Sequence, residues 1–510
     1  MLTFAVAEAA QPGDSRTAAS GSGGSADGAR WLRQAYVIGK EDLTIPGVVT
    51  PEAGGATVVC RKSIPGAAAM AVQVDCGVHG LLNLRTCLLP DRDKPYVLNL
   101  ELARRRIMLL INKIEEWGWS DIPADDPIMK GLDRSRELFT AALVAGEAPK
   151  QCALARESVL VAIEAGEMLA VREAEKALTR RLEAQDRPHF GVSVHSDQFA
   201  EPLQKVLAGA VDFIQVPLRW NRIEAEEGRF DFTRMDRWIE WAVRTGKVPV
   251  TAGPVIDLSA HGCPRWLHVW NNDYDTLREF AYEHAKRVVT RYRRTVSRWV
   301  VTGGLNVNAG FALSMEQMVD LTRVAVMTVR KLQPSAKVFV EITEPFGEHA
   351  FTNPQSVAPL LYAELVLGSG VQADGFALRV QMGDGQGGRR ARDLLELSAM
   401  IDTYSEFERP IIVSALGCPS EPGVNGGEDP GNWRGAWTPE SQQAWMDHAA
   451  LVALSKPMVK SVCWQSLFDT PDGPDMPAGG LVTVDGRPKP ALKRLGEITR
   501  SLQAGQVPTR

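Results

Sequence analysis

Eight short apolar segments alternate with amphipathic stretches between residues 189 and 464, and this repeat constrains the fold more than any other feature of the chain. The segments are HFGVSV (189–194), VDFIQVP (211–217), VPVTAGP (248–254), VSRWVVT (296–302), AKVFVEI (336–342), DGFALRV (374–380), PIIVSA (410–415) and VKSVCW (459–464). Each has strand length. Between them lie stretches such as TRMDRWIEWAVRTG, DTLREFAYEHAKRVVTRY, SMEQMVDLTRVAVMTVRKL and PESQQAWMDHAALVALS, whose apolar positions recur at helical spacing. A helix between consecutive strands returns the chain to the same end of the sheet, so the strands pair in parallel. Eight such units favour a closed (β/α)8 TIM barrel, an α/β fold whose active sites lie at the C-terminal strand ends.

A barrel of this kind takes roughly 250 residues, and the chain has 510, so a second domain is expected before it. Residues 1–29 are expected to be a disordered tail, because 11–29 consist mainly of Gly, Ser, Ala and Asp and cannot offset the entropy of ordering. Residues 30–186 form an accessory domain. Its short apolar runs, AYVIG, IPGVVTP, ATVVCRKS, AAMAVQVDCG and GLLNLRTCLLP, predict a small antiparallel β unit. The stripe in LNLELARRRIMLLINKIEEWG and stretches near 128–146 and 153–184 predict three helices after it. A β unit beside a barrel raises the idea of a carbohydrate-binding module, but no aromatic platform stands out, and the domain is read as structural. The barrel is expected over 187–503.

Net charge is −5 and no long basic run occurs, so nucleic acid and an anionic membrane surface are not expected partners. No apolar run has the length of a membrane span, and Leu2–Ala10 lacks a basic flank and is interrupted by Glu8, unlike a signal peptide. Seven cysteines without CxxC spacing suit a reducing compartment, and a cytoplasmic location is expected. His189, His195, His261 and His268 show no metal-ligand spacing, so no metal is expected. GDGQGG (383–388) has neither a P-loop Lys nor a GxGxxG register, which leaves no sign of a nucleotide cofactor. It reads as a loop over the barrel mouth.

Six blocks of the barrel region resemble glycoside hydrolase family 10, the xylanase family, in order and spacing. RWNRIEAEEGRFDFTRMD (Arg219, Trp220, Glu224, Gly228, Phe230, Phe232, Asp236) is similar to the block whose basic residue and Trp line the sugar cleft, with Arg219 where Lys is usual. AGPVIDL and CPRWL (Gly253, Pro254, Pro264, Trp266, Leu267) resemble the stretch that ends in Pro-x-Trp, with Pro254 where a sugar-binding His is usual. DGFALRVQ places Arg379 and Gln381 at the family's Gln and His positions. VCWQSLFD (Trp464, Asp469) and the KPA of GGLVTVDGRPKPAL (Lys489, Pro490, Ala491) resemble its terminal segments.

The resemblance implies carbohydrate as the ligand, a xylan-type β-glycan, and retaining hydrolysis by two glutamates roughly 5 Å apart. Both positions differ here. WVVTGGLNVN puts Gly303 and Gly304 where Asn and the acid/base Glu stand, and VSALG puts Ala415 at the nucleophile. Neither residue can transfer a proton or attack an anomeric carbon, so binding without standard hydrolysis is expected. Three further readings of the residues stand beside it. Glu341, Glu348 and Asp257 lie near strand ends and are candidates for a relocated acid pair, or Glu341 is merely neutralised by Arg379 while Glu344 and Glu348 are solvated. Arg219, Trp220, Trp266, Asn306, Arg379, Gln381 and Trp464 are candidates for holding sugar by stacking or hydrogen bonds, or are core and loop-capping groups. Thirdly, the barrel is a non-catalytic scaffold for a partner.

Overall fold

The apolar runs of the N-terminal third become β1 (Leu2–Ala5), β2 (Tyr36–Ile38), β3 (Thr44–Ile45), β4 (Gly47–Pro51), β5 (Thr57–Lys62), β6 (Ala69–Asp75), β7 (Leu81–Arg85) and β8 (Tyr96–Val97). They pair into two four-stranded sheets, β4-β5-β1-β8 and β3-β2-β6-β7. The computed structural model describes residues 1–6, 35–52, 57–195, 197–199, 201–383, 388–422, 432–470 and 476–509. Most of the expected tail and the centre of GDGQGG therefore lie outside the described residues. The start of the tail is corrected: Leu2–Ala5 runs antiparallel to β5 and parallel to β8, with Leu2 and Phe4 fully buried. LTFA alternates as a half-buried strand does, and its partners are distant in sequence.

Three helices follow, α1 (Leu98–Glu116), α2 (Pro127–Val144) and α3 (Ala148–Glu183), close to the predicted stretches. Asp126 starts α2 by accepting from the Ile128 amide, with Pro127 in the first turn where its missing N–H costs nothing. Ile107, Leu110, Ile114, Ile128, Leu132, Ala165 and Leu169 form their shared core. The first compact unit comprises Met1–Glu173 together with Arg390–Glu396 and Trp433–Gly435. In it, Arg106 Nη2 meets Asp393 Oδ1 at 2.8 Å and Arg106 Nη1 meets Glu396 at 3.4 Å, while Arg434 meets Glu167 at 2.6 Å. Burial pushes the Asp393 carboxyl up. Burial also acts on Glu396, but Arg85, Arg105 and Arg106 outweigh it and hold that carboxyl at about 2.

The second unit is a closed barrel. Its strands are β9 (His189–Ser193), β10 (Ile214–Val216), β11 (Val250–Ala252), β13 (Arg298–Val300), β15 (Lys337–Thr343), β16 (Gly375–Gln381), β17 (Ile411–Gly417) and β18 (Val459–Trp464). Two short strands, β12 (Ile256–Asp257) and β14 (Thr302–Gly303), pair just beyond β11 and β13. The barrel order is β10-β11-β13-β15-β16-β17-β18-β9, all parallel. Every one of the eight predicted segments supplies one of these strands. The intervening helices are α4 (Glu201–Leu207), α5 (Trp220–Ile223), α6 (Thr233–Trp241), α7 (Tyr274–Tyr292), α8 (Met315–Leu332), α9 (His349–Thr352), α10 (Pro359–Gly368), α11 (Leu394–Ser405), α12 (Pro439–Ser455) and α13 (Pro490–Gln503). This is the (β/α)8 TIM barrel expected from the repeat, preceded by the smaller β-plus-helical unit.

Candidate functional site

Gln215 on β10 donates through Nε2 to the Ser414 carbonyl on β17 at 3.1 Å, although three steps round the barrel separate these strands. That bond crosses the interior and fixes which side chains face inward. Ser193 and Thr251 stand in register with Gln215 on the neighbouring strands, and all three are buried. Ser414 Oγ donates to Glu341 Oε2 at 3.4 Å and Thr343 Oγ1 to Glu341 Oε1 at 3.1 Å. Val300, Phe339, Ala377 and Ile412 form an apolar cluster. Bulky branched residues usually fill such an interior, so the polar set marks a place where packing alone does not decide the residues.

At the end of the β13 segment the chain runs past the loop that follows β12. Gly304 has φ +72°, and a Cβ there would lie 2.7 Å from Ser259 Cα and 2.8 Å from its amide nitrogen. A Cβ on Gly303 would lie 2.6 Å from Pro254 Cγ and 3.3 Å from Asp257 Oδ1. The space a side chain would need at either position is thus already occupied, mostly by backbone and by the proline ring. Asp257 Oδ1 accepts from the Ser259 hydroxyl at 2.6 Å and from its amide at 3.1 Å, which holds the loop in place. Ala415 is fully buried on β17, in register with Arg379 of β16.

Arg219 caps the start of α5 just after β10, and Arg379 sits near the end of β16; both are half-buried. Burial pushes the Asp257 carboxyl up, opposed by its bonds to Ser259 and by the two guanidiniums of Arg219 and Arg379. Arg379 Nη2 donates to Gln381 Oε1 at 3.3 Å. Gln381 is buried, and among the described residues its Nε2 has no hydrogen-bond partner. The same holds for Ser193 Oγ and Gln465 Oε1.

The aromatic candidates are placed differently from the expectation of open stacking faces. Trp220 and Trp464 are both 0% exposed. The Trp220 indole donates to Glu224 Oε2 at 2.8 Å and stacks on His284 at 4.4 Å, while Trp464 donates to the Gly479 carbonyl at 3.0 Å and packs against Trp445. Trp266 is half-buried and donates to the Glu224 carbonyl at 3.0 Å. An indole with its N–H satisfied internally is stable as core. Asn306 clamps β15 by accepting from the Thr343 amide and donating to its carbonyl, which is the loop-capping role. Glu348 is not a solvated charge: it is buried, and Oε2 accepts from the Gly388 amide at 2.7 Å. Glu344 is half-buried beside His349 Nδ1 at 3.3 Å.

Ser193, Gln215, Thr251 and Ser414 escaped the residue-by-residue reading. Their signal is present in the strands as a polar residue inside an apolar run, at the inward-facing period of two.

No family model matches the chain. Among solved structures it is similar to xylanase B from Clostridium stercorarium F9, with 14% identity over 63% of this chain and 98% of that one, at a TM-score of 0.47. It is also similar to xylanase 10B from Thermotoga petrophila RKU-1, solved with xylobiose (14% identity, 63% of this chain and 97% of that one, TM-score 0.45). A third is the glycoside hydrolase family 10 xylanase of Thermobacillus composti, at 15% identity over 61% of this chain and 97% of that one, with a TM-score of 0.45.

Proposed function

We propose that the barrel mouth binds a xylan-type β-glycan and does not hydrolyse it by the retaining route. The observation that carries this reading is the crowding at Gly303 and Gly304, where the loop from Asp257 to Ser259 stands in the volume an acid/base side chain would need. A lost glutamate alone could be regained by one substitution; here the surrounding backbone has closed over the position. Ala415 offers no nucleophile, and a retaining mechanism needs two carboxyls at roughly 5 Å across an open site. Sugar binding is supported by the sequence blocks that resemble the xylanase family and by a polar inner layer with donors and acceptors left for a hydroxylated ligand. Calorimetric titration with xylo-oligosaccharides, run beside a reducing-end assay on xylan and aryl xylosides, is expected to give binding without release of sugar. Turnover that is abolished by a mouth substitution overturns the reading.

One observation favours a second reading, hydrolysis by a relocated pair. Asp257 is a buried carboxyl pushed up in pKa, as a general acid requires, and it lies beside Gly303. Under that reading Asp257→Asn abolishes a measurable activity on an aryl glycoside. Under the preferred one there is no activity for it to abolish.

A further inference from the structure

We propose that the N-terminal end of the barrel, opposite the mouth, holds a separate site for a small oxyanion, a phosphate or a carboxylate, built on the guanidinium of Arg298. Arg298 opens β13 and Ser461 lies on β18, and these strands are four steps apart in either direction round the eight-stranded barrel. Arg298 Nη1 nevertheless donates to Ser461 Oγ at 2.6 Å, so the side chain crosses the interior to a hydroxyl that is itself buried. Phe213, just before β10, lies against the same guanidinium, with 5.4 Å between Cζ and the ring centroid. A hydroxyl thus pins one end of the fork and an aromatic ring covers one face, which fixes its direction before any ligand arrives.

What remains open is the edge formed by Nε and Nη2. Neither nitrogen makes a hydrogen bond among the described residues, and Arg298 is half-buried. The unpaired Nε of Arg106 is sealed from water, whereas neither nitrogen of this edge is. Nε–H and Nη2–H point the same way, and from this side a guanidinium takes two oxygens of a carboxylate or phosphate at once. Arg298 forms no ion pair among the described residues. The acids that precede β9, β10 and β16 have cations of their own: Asp186 meets Arg181 at 3.0 Å, Asp212 meets Arg187 at 2.8 Å, and Asp374 is shared by Arg330 at 2.7 Å and Lys337 at 3.6 Å. Burial lowers the Arg298 pKa, opposed only by the neighbouring Cys463 thiol. A cation partly withdrawn from water without a carboxylate destabilises the fold, and an anion taken from solution offsets that. A neutral sugar does not, which separates this site from the one proposed for the mouth.

The test is thermal unfolding of the full chain in sodium phosphate, sodium acetate and sodium chloride at matched ionic strength and pH, with no sugar present. Phosphate also stabilises proteins by exclusion from their surface, an effect that grows without saturating and does not depend on one arginine. Occupancy of the Arg298 site is expected instead to raise the melting temperature along a saturating curve. Whichever of phosphate and acetate saturates at the lower concentration identifies the oxyanion. Chloride, which cannot bridge both nitrogens, is expected to give no such curve. Arg298→Met should abolish the saturating rise and leave the melting temperature without oxyanion equal or higher, because it removes a charge that lacks a carboxylate. Ser461→Ala keeps the guanidinium but frees Nη1, and should raise the half-saturating concentration about fivefold; this shift decides if Arg298→Met folds poorly. A saturating rise that survives these substitutions unchanged, or none in either oxyanion, overturns the proposal. Neither result touches the sugar reading of the mouth, which titration with xylo-oligosaccharides tests separately.

Discussion

In the first unit, Asp393 is wholly buried and Arg106, itself 1% exposed, meets it at 2.8 Å; at the barrel mouth, Arg219 and Arg379 are half-buried, and their charges oppose the upward push that burial gives the Asp257 carboxyl. The two regions place the same chemistry under different solvent access. In the first, acid and base are sealed together, and Asp393 also accepts from the amides of Leu395 and Glu396, which caps the start of α11. Such a pair contributes nothing to a passing ligand, yet removing one partner strands the other charge in a dry interior. At the mouth, the guanidiniums remain within reach of water. The difference separates charge sealed from water from charge that water still reaches.

The comparison breaks first if Asp393→Ala is mild. Loss of that carboxyl leaves Arg106 buried without its nearest acid, and the expected cost is about 3–5 kcal/mol, read as a lower midpoint in urea unfolding. A loss below about 1 kcal/mol would mean the pair behaves like a surface ion pair and the contrast fails.

Next in size is the double substitution Gly304→Glu with Ala415→Glu, which places carboxyls at both positions where the family resemblance has glutamates. Because a Cβ at 304 meets the Ser259 backbone and φ is positive, the expected cost is about 3 kcal/mol with no hydrolysis of an activated aryl xyloside. A variant of native stability that releases the aryl group would show that the loop yields easily.

A third test concerns pH. His284 is fully buried against Trp220, its Nδ1 faces Glu224 at 3.2 Å, and its Nε2 has no partner among the described residues. Burial lowers its pKa, although Glu224 pulls the other way, so the neutral imidazole is favoured more in the folded protein than in the unfolded chain. The unfolded chain then binds more protons than the folded one, and stability present above the unfolded value is lost as pH falls through it. Glu224, held below the usual carboxylate range by His284, Gly228 and Trp220 despite burial, adds a loss of the same sign at lower pH. The melting temperature is expected to drop from pH 7.5 toward pH 5, about one unit either side of the imidazole range and beyond. His284→Gln should flatten that slope, and an unchanged slope would sink the assignment.

The smallest effect is expected in the polar inner layer of the barrel. Ser414→Ala removes a long hydrogen bond to Glu341 and should cost about 1 kcal/mol or less, well under the Asp393 substitution. A cost equal to that of Asp393→Ala would place the inner layer with the sealed charges of the first unit.

Much of the fold was legible because periodicity survives without knowledge of neighbours. All eight barrel segments and the three helices of the first unit follow from the spacing of apolar residues. The candidate site was legible only in part. Arg219, Arg379 and Gln381 were singled out from their place in the strand ends, and of these Arg379 donates to Gln381 on the same strand. Trp220 and Trp464 were singled out in the same way but lie in the core, since a period of two or 3.6 tells which face a side chain takes and not how deeply that face is covered.

The sequence by itself determined the number and order of strands, their parallel pairing through helices, and the absence of carboxylates at 304 and 415. Those properties depend on residue type and short-range spacing, which the linear chain carries in full. Tertiary structure alone decided that the loop after β12 fills the space beside Gly303 and Gly304, that Arg390–Glu396 belongs with the first unit, and that Arg106 meets an acid 287 positions away. Each of these is a contact between segments whose separation along the chain has no bearing on their separation in space, and close packing and Coulomb attraction act only on the latter.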